Sequence, residues 1–285
     1  MRVLYARTPA KINLFLRVLG KRSDGYHTIE TIFQAINMYD EVILEFTNST
    51  ARVAVPGFSS LETQDNLALK AVKALEMTSK QRLPVKITLH KRIPVGAGLG
   101  GGSSDAAAVL LGVRELFGLS LGTEELRLIA RKLGADVPFF LQGGSAVGEG
   151  IGDVLTPVEL VTDYSLVLIN PGFPVETRTV YQAFSGTLTE MSRKSMVWEM
   201  LRNCQVPHGI LVNDLQAAAE MMYPQIRDVR RALENAGVRY TLMSGSGATV
   251  FGIVPSDWSA KKLEGLPQGW KVWGVRPWPG GCIWE

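Results

Sequence analysis

The sequence predicts an α+β protein of two domains set side by side, and three observations predict it. Runs with strand alternation and runs with helical spacing are interspersed in both halves rather than segregated. A glycine cluster from Gly143 through Gly152, ending in Thr156-Pro157, separates the two sets and reads as a hinge. The length, 285 residues, is large for a single core. The expected division is one domain over residues 1–155 and a second over 156–285.

In order along the chain, Val3 to Ala6, Ile12 to Val18 and Val42 to Phe46 read as strands. Asn66 to Leu75 reads as a helix, because Leu67, Ala71, Ala74 and Leu75 share one face. Val85 to Leu89 alternates as a strand does, and Ala106 to Phe117 has helical spacing until Gly118. Thr123, with Glu124 and Glu125, opens a further helix that Gly134 closes, and Asp136 before Pro138 marks the start of the next. Beyond the glycine cluster, Tyr164 to Ile169 is a buried strand ending in the turn Asn170-Pro171-Gly172. Pro224 to Asn235 is a helix with Gly237 as its stop. Arg239 to Met243 and Ala248 to Val254 are strands around Gly245-Ser246-Gly247, and Lys271 to Val275 adds a last one.

Composition narrows the partners. A net charge of +3 with dispersed basic residues argues against nucleic acid and against a membrane-binding stripe, so a small molecule is expected. Two cysteines, Cys204 and Cys282, give no disulfide framework and fit a reducing cytoplasm; His27, His90 and His208 are too scattered to hold a metal. The apolar stretch Ile12 to Leu19 is interrupted by Asn13 and Arg17, which argues against a signal peptide, and no run is long enough to span a bilayer.

The most informative segment lies between the strand at Val85 and the helix at Ala106. Pro94-Val95-Gly96-Ala97-Gly98-Leu99-Gly100-Gly101-Gly102-Ser103-Ser104-Asp105 leaves a bare backbone leading into a helix N-terminus, where free N–H donors and a partial positive charge suit a polyphosphate. A Walker A loop would need a lysine after its last glycine, and Gly102 is followed by Ser103. A dinucleotide fingerprint is present as Gly96-x-Gly98-x-x-Gly101, but the acids at the required distance, Glu124 and Glu125, open a helix instead of ending a strand. A protein-kinase glycine loop would sit in a hairpin. A ligand-free turn is disfavoured by the backbone entropy that so many glycines cost.

Residues Pro94 to Ala107 resemble the signature loop of the GHMP kinase superfamily. Pro9-Ala10-Lys11-Ile12-Asn13-Leu14-Phe15-Leu16, followed by Gly20-Lys21-Arg22-x-Asp24-Gly25-Tyr26-His27, is similar to the N-terminal signature of one branch of it. Gly134-Ala135-Asp136-Val137-Pro138-Phe139-Phe140 resembles that branch's aspartate motif, and Leu242-Met243-Ser244-Gly245-Ser246-Gly247-Ala248 the superfamily's third motif. The resemblance implies a ribosomal-protein-S5-like N-terminal domain and a ferredoxin-like C-terminal domain. It also implies an ATP-dependent kinase acting on the 2-hydroxyl of a diphosphocytidyl-linked erythritol in the non-mevalonate isoprenoid pathway. Two other readings stay open: another small-molecule kinase of the superfamily, for homoserine or mevalonate, and a catalytically silent ligand sensor on the same fold. Loss of Lys11 or Asp136 would mark a sensor, and both are present.

Carried onto this chain, the resemblance assigns ATP binding to the loop from Pro94 to Ser104 and to Asn66. Magnesium is expected to bind mainly through the phosphates, with no protein metal site. Ser103 or Ser104 could reach a phosphate or its magnesium, or cap the helix. Asp136 is the expected base, with Lys11 beside it holding the carboxylate ionised; read alone, Asp136 is a helix cap and Lys11 a solvated lysine. The cytosine would meet Tyr26, His27 and Tyr181 by stacking and hydrogen bonding, with Asn13 on polar groups of the substrate and Thr177 lining the same cleft. Asn66 doubles as a helix cap, and the chain is expected to act as a monomer or weak homodimer.

Overall fold

Two long neighbouring strands form the axis of the larger sheet in the computed structural model, which describes residues 3–185, 210–255 and 257–285. Cys204 and His208 lie outside the described residues. β1 (Val3–Lys21) and β2 (His27–Phe46) run antiparallel from Val3↔Glu45 to Lys21↔His27. β1 therefore joins two segments expected to be separate, and β2 begins fifteen residues before the expected Val42 (42 − 27). The cause is burial on both faces: every residue from Thr8 to Leu16 and from Ile29 to Ile36 is buried, which removes the alternation that marks a strand. Register shifts at Pro9/Ala10 and Asn13/Phe15 bracket Lys11 and Asn13, which stay two residues apart on one face.

β4 (Val85–His90) pairs with β2, and β3 (Arg52–Ala54) lies parallel to β4. Helices α1 (Leu67–Ser79), α2 (Gly101–Phe117), α3 (Thr123–Leu133) and α4 (Val137–Gln142) enclose a core with the sheet that includes Leu44, Leu75, Ile87, Leu110 and Phe139. The glycine cluster is a hairpin of that sheet rather than a hinge: β5 (Ser145–Glu149) pairs with β2, and β6 (Val154–Pro157) returns beside it. Its positive-φ glycines, Gly150 and Gly152, serve the turn. The expected boundary at 155/156 accordingly falls inside β6, and the chain crosses to the second sheet over residues 158–164.

The second sheet comprises β7 (Ser165–Asn170), β9 (Tyr240–Met243), β10 (Val250–Val254) and β11 (Lys271–Val275), all antiparallel in the order β11-β7-β10-β9. That is the strand order of a ferredoxin-like fold. Helices α5 (Thr177–Ala183), α6 (Gln216–Met222) and α7 (Pro224–Asn235) precede its second strand. The halves are not separate beads. β8 (Val212–Asn213) runs parallel to β1 at Phe15 and Leu16, and β12 (Ile283–Trp284) pairs with β1 at Ala6 and Arg7. A shared core of Ile12, Leu14, Ile36, Leu99, Leu168 and Phe251 joins the sheets, so a cleft between them has fixed walls.

Candidate active site

The cleft between the two sheets measures about 980 Å³ and gathers every predicted site residue except Leu99, whose side chain lies in the shared core, and Ser104, which is fully buried. α2 begins at Gly101 rather than Ala106, because Gly101 is pressed against Ile93 and Asp40, where a Cβ would lie 2.9 and 3.1 Å away. Tertiary contact, not helix propensity, sets that boundary. Ser103 and Ser104 are thus helical and neither caps the helix; the N-cap is Gly100, at φ 71°. Ser103 faces the cleft, whereas the Ser104 hydroxyl has no partner among the described residues.

The loop is held by its carbonyls. Those of Gly96, Ala97, Gly98 and Leu99 accept from Val175 N (2.8 Å), Thr249 N (3.3 Å), Ser244 Oγ (2.9 Å) and Lys11 N (3.0 Å). A planar trans peptide sends its N–H opposite to its C=O, so the amides of Ala97 to Gly100 turn away from those anchors. Among the described residues, no amide from Gly98 to Ser103 donates a hydrogen bond. Gly98, at φ 76°, is required sterically: a Cβ there would sit 2.1 Å from the Ser244 carbonyl oxygen. Gly102 meets nothing closer than 4.0 Å, so its bareness serves the cleft rather than the packing. Free amides at the positive end of a helix form an anion cradle.

Lys11 reaches the cleft from the middle of β1 and is 3% exposed. Its Nζ donates to Asn13 Oδ1 at 2.7 Å, lies 3.3 Å from Asp136 Oδ2, and sits 5.4 Å from the centre of the Phe33 ring. Asp136 stands at the N-cap position of α4 yet makes no side-chain cap, so its carboxylate points to Lys11 instead of to its own helix. Asn13, expected to meet the substrate, is 2% exposed and engaged at both ends: its Nδ2 donates to Thr31 Oγ1 at 2.8 Å. It fixes the lysine. Asn66 caps α1 through Ala68 N at 2.9 Å and donates to the Leu61 carbonyl at 2.9 Å, while still lining the cleft.

At the other end of the cleft His27 and Tyr181 stack, with ring centres 5.2 Å apart, and Tyr26 is exposed beside them. Burial, aided by the Lys21 charge, lowers the His27 pKa and keeps the imidazole neutral at pH 7. Burial and the Asp136 charge raise that of the Tyr181 hydroxyl. Thr177 shares a hydrogen bond with Ser246 at 2.9 Å, which ties α5 to the Gly245-Ser246-Gly247 turn.

One charged cluster escapes sequence reasoning. Lys91 donates to Asp40 and, at 2.6 Å, to Asp105; Asp105 accepts from Thr8 Oγ1 at 2.9 Å, and Asp40 accepts from the amides of Arg92 and Ile93. Burial, then the neighbouring Asp105, pushes the Asp40 pKa up to about 6. Burial alone would depress the Lys91 ammonium, but Asp105 and Asp40 more than offset it and hold its pKa above the ordinary lysine value. The signal was present in that Lys91 and Asp105 flank the glycine loop, but Asp40 is remote in sequence.

Comparison with known proteins places the chain in a family. The model of the GHMP kinases N terminal domain matches residues 66–144 and that of the GHMP kinases C terminal matches 196–265. The 4-diphosphocytidyl-2-C-methyl-D-erythritol kinase of Syntrophus aciditrophicus is 42% identical over 272 residues, covering 94% of this chain and 97% of its own. The enzyme of that name from Citrifermentans bemidjiense is 41% identical over 280 residues, covering 97% and 99%. A crystal structure of 4-(cytidine 5'-diphospho)-2C-methyl-D-erythritol kinase superposes with a TM-score of 0.78 at 34% identity, covering 97% of this chain and 99% of that one. A homoserine kinase from Cytophaga hutchinsonii gives 0.77 at 19% identity, a likeness of fold alone. With the free amides, the Lys11–Asp136 pair and the aromatic stack already in one cleft, the chain belongs to the GHMP kinases, in the 4-diphosphocytidyl-2-C-methyl-D-erythritol kinase family.

Proposed function

We propose that the protein transfers the γ-phosphoryl group of ATP to the 2-hydroxyl of 4-diphosphocytidyl-2-C-methyl-D-erythritol, giving the 2-phosphate and ADP, in the non-mevalonate isoprenoid pathway of the cytoplasm. The observation that carries this reading is the position of Lys11 and Asp136 in one cleft with the free amides of the glycine loop and the His27–Tyr181 stack. The loop holds the phosphates, the stack and Tyr26 hold the cytosine, and the acceptor hydroxyl meets Asp136.

Because charge in phosphoryl transfer rests on phosphate oxygens, the protein's task is alignment and neutralisation. The hydroxyl oxygen bonds to the γ-phosphorus, the bond to the β-phosphate bridging oxygen breaks, and ADP departs with that electron pair. The hydroxyl proton passes to the Asp136 carboxylate. Lys11, locked by Asn13, sets its positive charge beside that carboxylate and the acceptor hydroxyl. Magnesium neutralises phosphate charge when bound; Ser103 is the loop hydroxyl that faces the cleft to assist it, and no group of three or more acidic, histidine or cysteine side chains is poised for a metal among the described residues.

ADP release is measured with ATP, magnesium and a panel of alcohols: the cytidyl substrate, homoserine and mevalonate. Turnover of the first alone is expected. Turnover of homoserine or mevalonate without it would overturn the substrate, and no ADP with any would favour a sensor.

A further inference from the structure

Two cations at the cleft have no partner among the described residues. Lys21 ends β1 directly opposite His27 in the strand register, and Arg178 occupies the first turn of α5, three residues before Tyr181 and so on the same helix face. Since His27 and Tyr181 stack on each other, Lys21 and Arg178 flank the aromatic pair, one from each sheet's side of the cleft. Both are exposed, and neither makes a salt bridge or side-chain hydrogen bond among the described residues. Carboxylates nearby are already committed: Asp24 to Arg22 at 2.8 Å, Glu176 to the Thr179 hydroxyl at 2.6 Å, and Asp136 to Lys11. The proximity of Lys21 also shows in its lowering of the His27 pKa.

The loop amides account for the phosphates of ATP and Lys11 is engaged with Asp136 and Asn13, so the Lys21–Arg178 pair is positive charge left over at the aromatic end of the cleft. A substrate whose base rests against that stack carries its own diphosphate, with charge that must be met within reach of the base. We infer that Lys21 and Arg178 are specificity residues that read the diphosphate of the cytidyl substrate, making the site select a nucleoside diphosphate ester over a nucleoside. The inference rests on the proposed function and adds to it the residues that recognise the substrate's charge.

The test uses binding, without turnover, and the full chain. With the glycine loop filled by a non-hydrolysable ATP analogue, the affinities of CDP and cytidine are measured by calorimetry for the wild type, Lys21→Gln, Arg178→Gln and the double variant. The wild type is expected to bind CDP at least tenfold more tightly than cytidine. Each single variant should lose about tenfold in CDP affinity, the double variant should lose the preference, and cytidine and the ATP analogue should be held within twofold throughout. Arg178→Lys should recover part of the loss. Equal binding of CDP and cytidine by the wild type, variants that keep the preference, or variants that weaken the ATP analogue and CDP alike would each overturn the inference. The proposed function fails separately, in the ADP assay, and would survive if only these binding preferences were absent.

Discussion

Two buried lysines, each beside aspartate, lie near the same glycine loop, and they differ in how sealed their partners are. The Lys91 side chain is 5% exposed and meets two carboxylates exposed by 0% and 2%. Lys11 is 4% exposed by side chain, but its partner Asp136 is 31% exposed and opens into the cleft. The first cluster is spent on mutual contacts and anchors the loop: Asp40 holds the amides of Arg92 and Ile93 at its start, and Asp105 belongs to the helix at its end. The second offers a carboxylate oxygen to a ligand. One carboxylate's access to the cleft separates a brace from the proposed proton acceptor, although the residue types are the same.

The sharpest way to break this comparison is to neutralise each side. Asp136→Asn should lower kcat by about 10²- to 10⁴-fold with ATP affinity unchanged, read by steady-state kinetics and nucleotide titration. A kcat within threefold of wild type would reduce Asp136 to a structural group. On the braced side, Lys91→Met leaves two buried carboxylates without a cation and should cost about 3–5 kcal/mol in urea unfolding. A loss below about 1 kcal/mol would show that the cluster does not brace the loop.

The titration of Asp40 sharpens the contrast. Its pKa in the folded protein, about 6, lies above the ordinary 3.8, so the folded state holds the extra proton. The stability that this proton confers is present below about pH 4 and is lost as pH rises through about 6. Relative to Asp40→Asn, the wild type should therefore lose up to about 3 kcal/mol between pH 4 and pH 7, followed by thermal unfolding of both at each pH. A flat or rising difference would contradict it. The smallest effect is expected at Ser104, whose buried hydroxyl has no partner among the described residues. Ser104→Ala should change stability by no more than about 1 kcal/mol, in the favourable direction, with kcat unaffected; a large loss of activity would mean that the hydroxyl serves the site.

The glycine loop was legible because phosphate binding demands a local run of bare backbone, and the elements around it follow from local periodicity. What stayed hidden depended on tertiary contact. β2 was mostly missed because its middle is buried on both faces, and the start of α2 was missed because Asp40 and Ile93 impose it on glycines with poor helix propensity. The glycine hairpin of β5 and β6 imitates a linker, since turns and hinges use the same residues. Lys11 and Asp136 pair through family motifs, whereas the hydrogen bonds that tie Asn13 to Lys11 and Thr31 depend on the β1–β2 pairing and have no local signal.

The return of the chain to its first sheet bears on how the protein is made. Trp278 donates from its backbone to the Ala35 carbonyl at 2.8 Å, Glu285 to that of Tyr5 at 2.9 Å, and β12 adds a strand against β1. During synthesis the strands that carry Lys11 emerge early, but the edge that covers them emerges after the whole second sheet. Until then β1 presents an unpaired edge, open to non-native pairing with other chains. The long strands of the active-site sheet are thus translated before the second sheet, yet the sheet they belong to is finished after it.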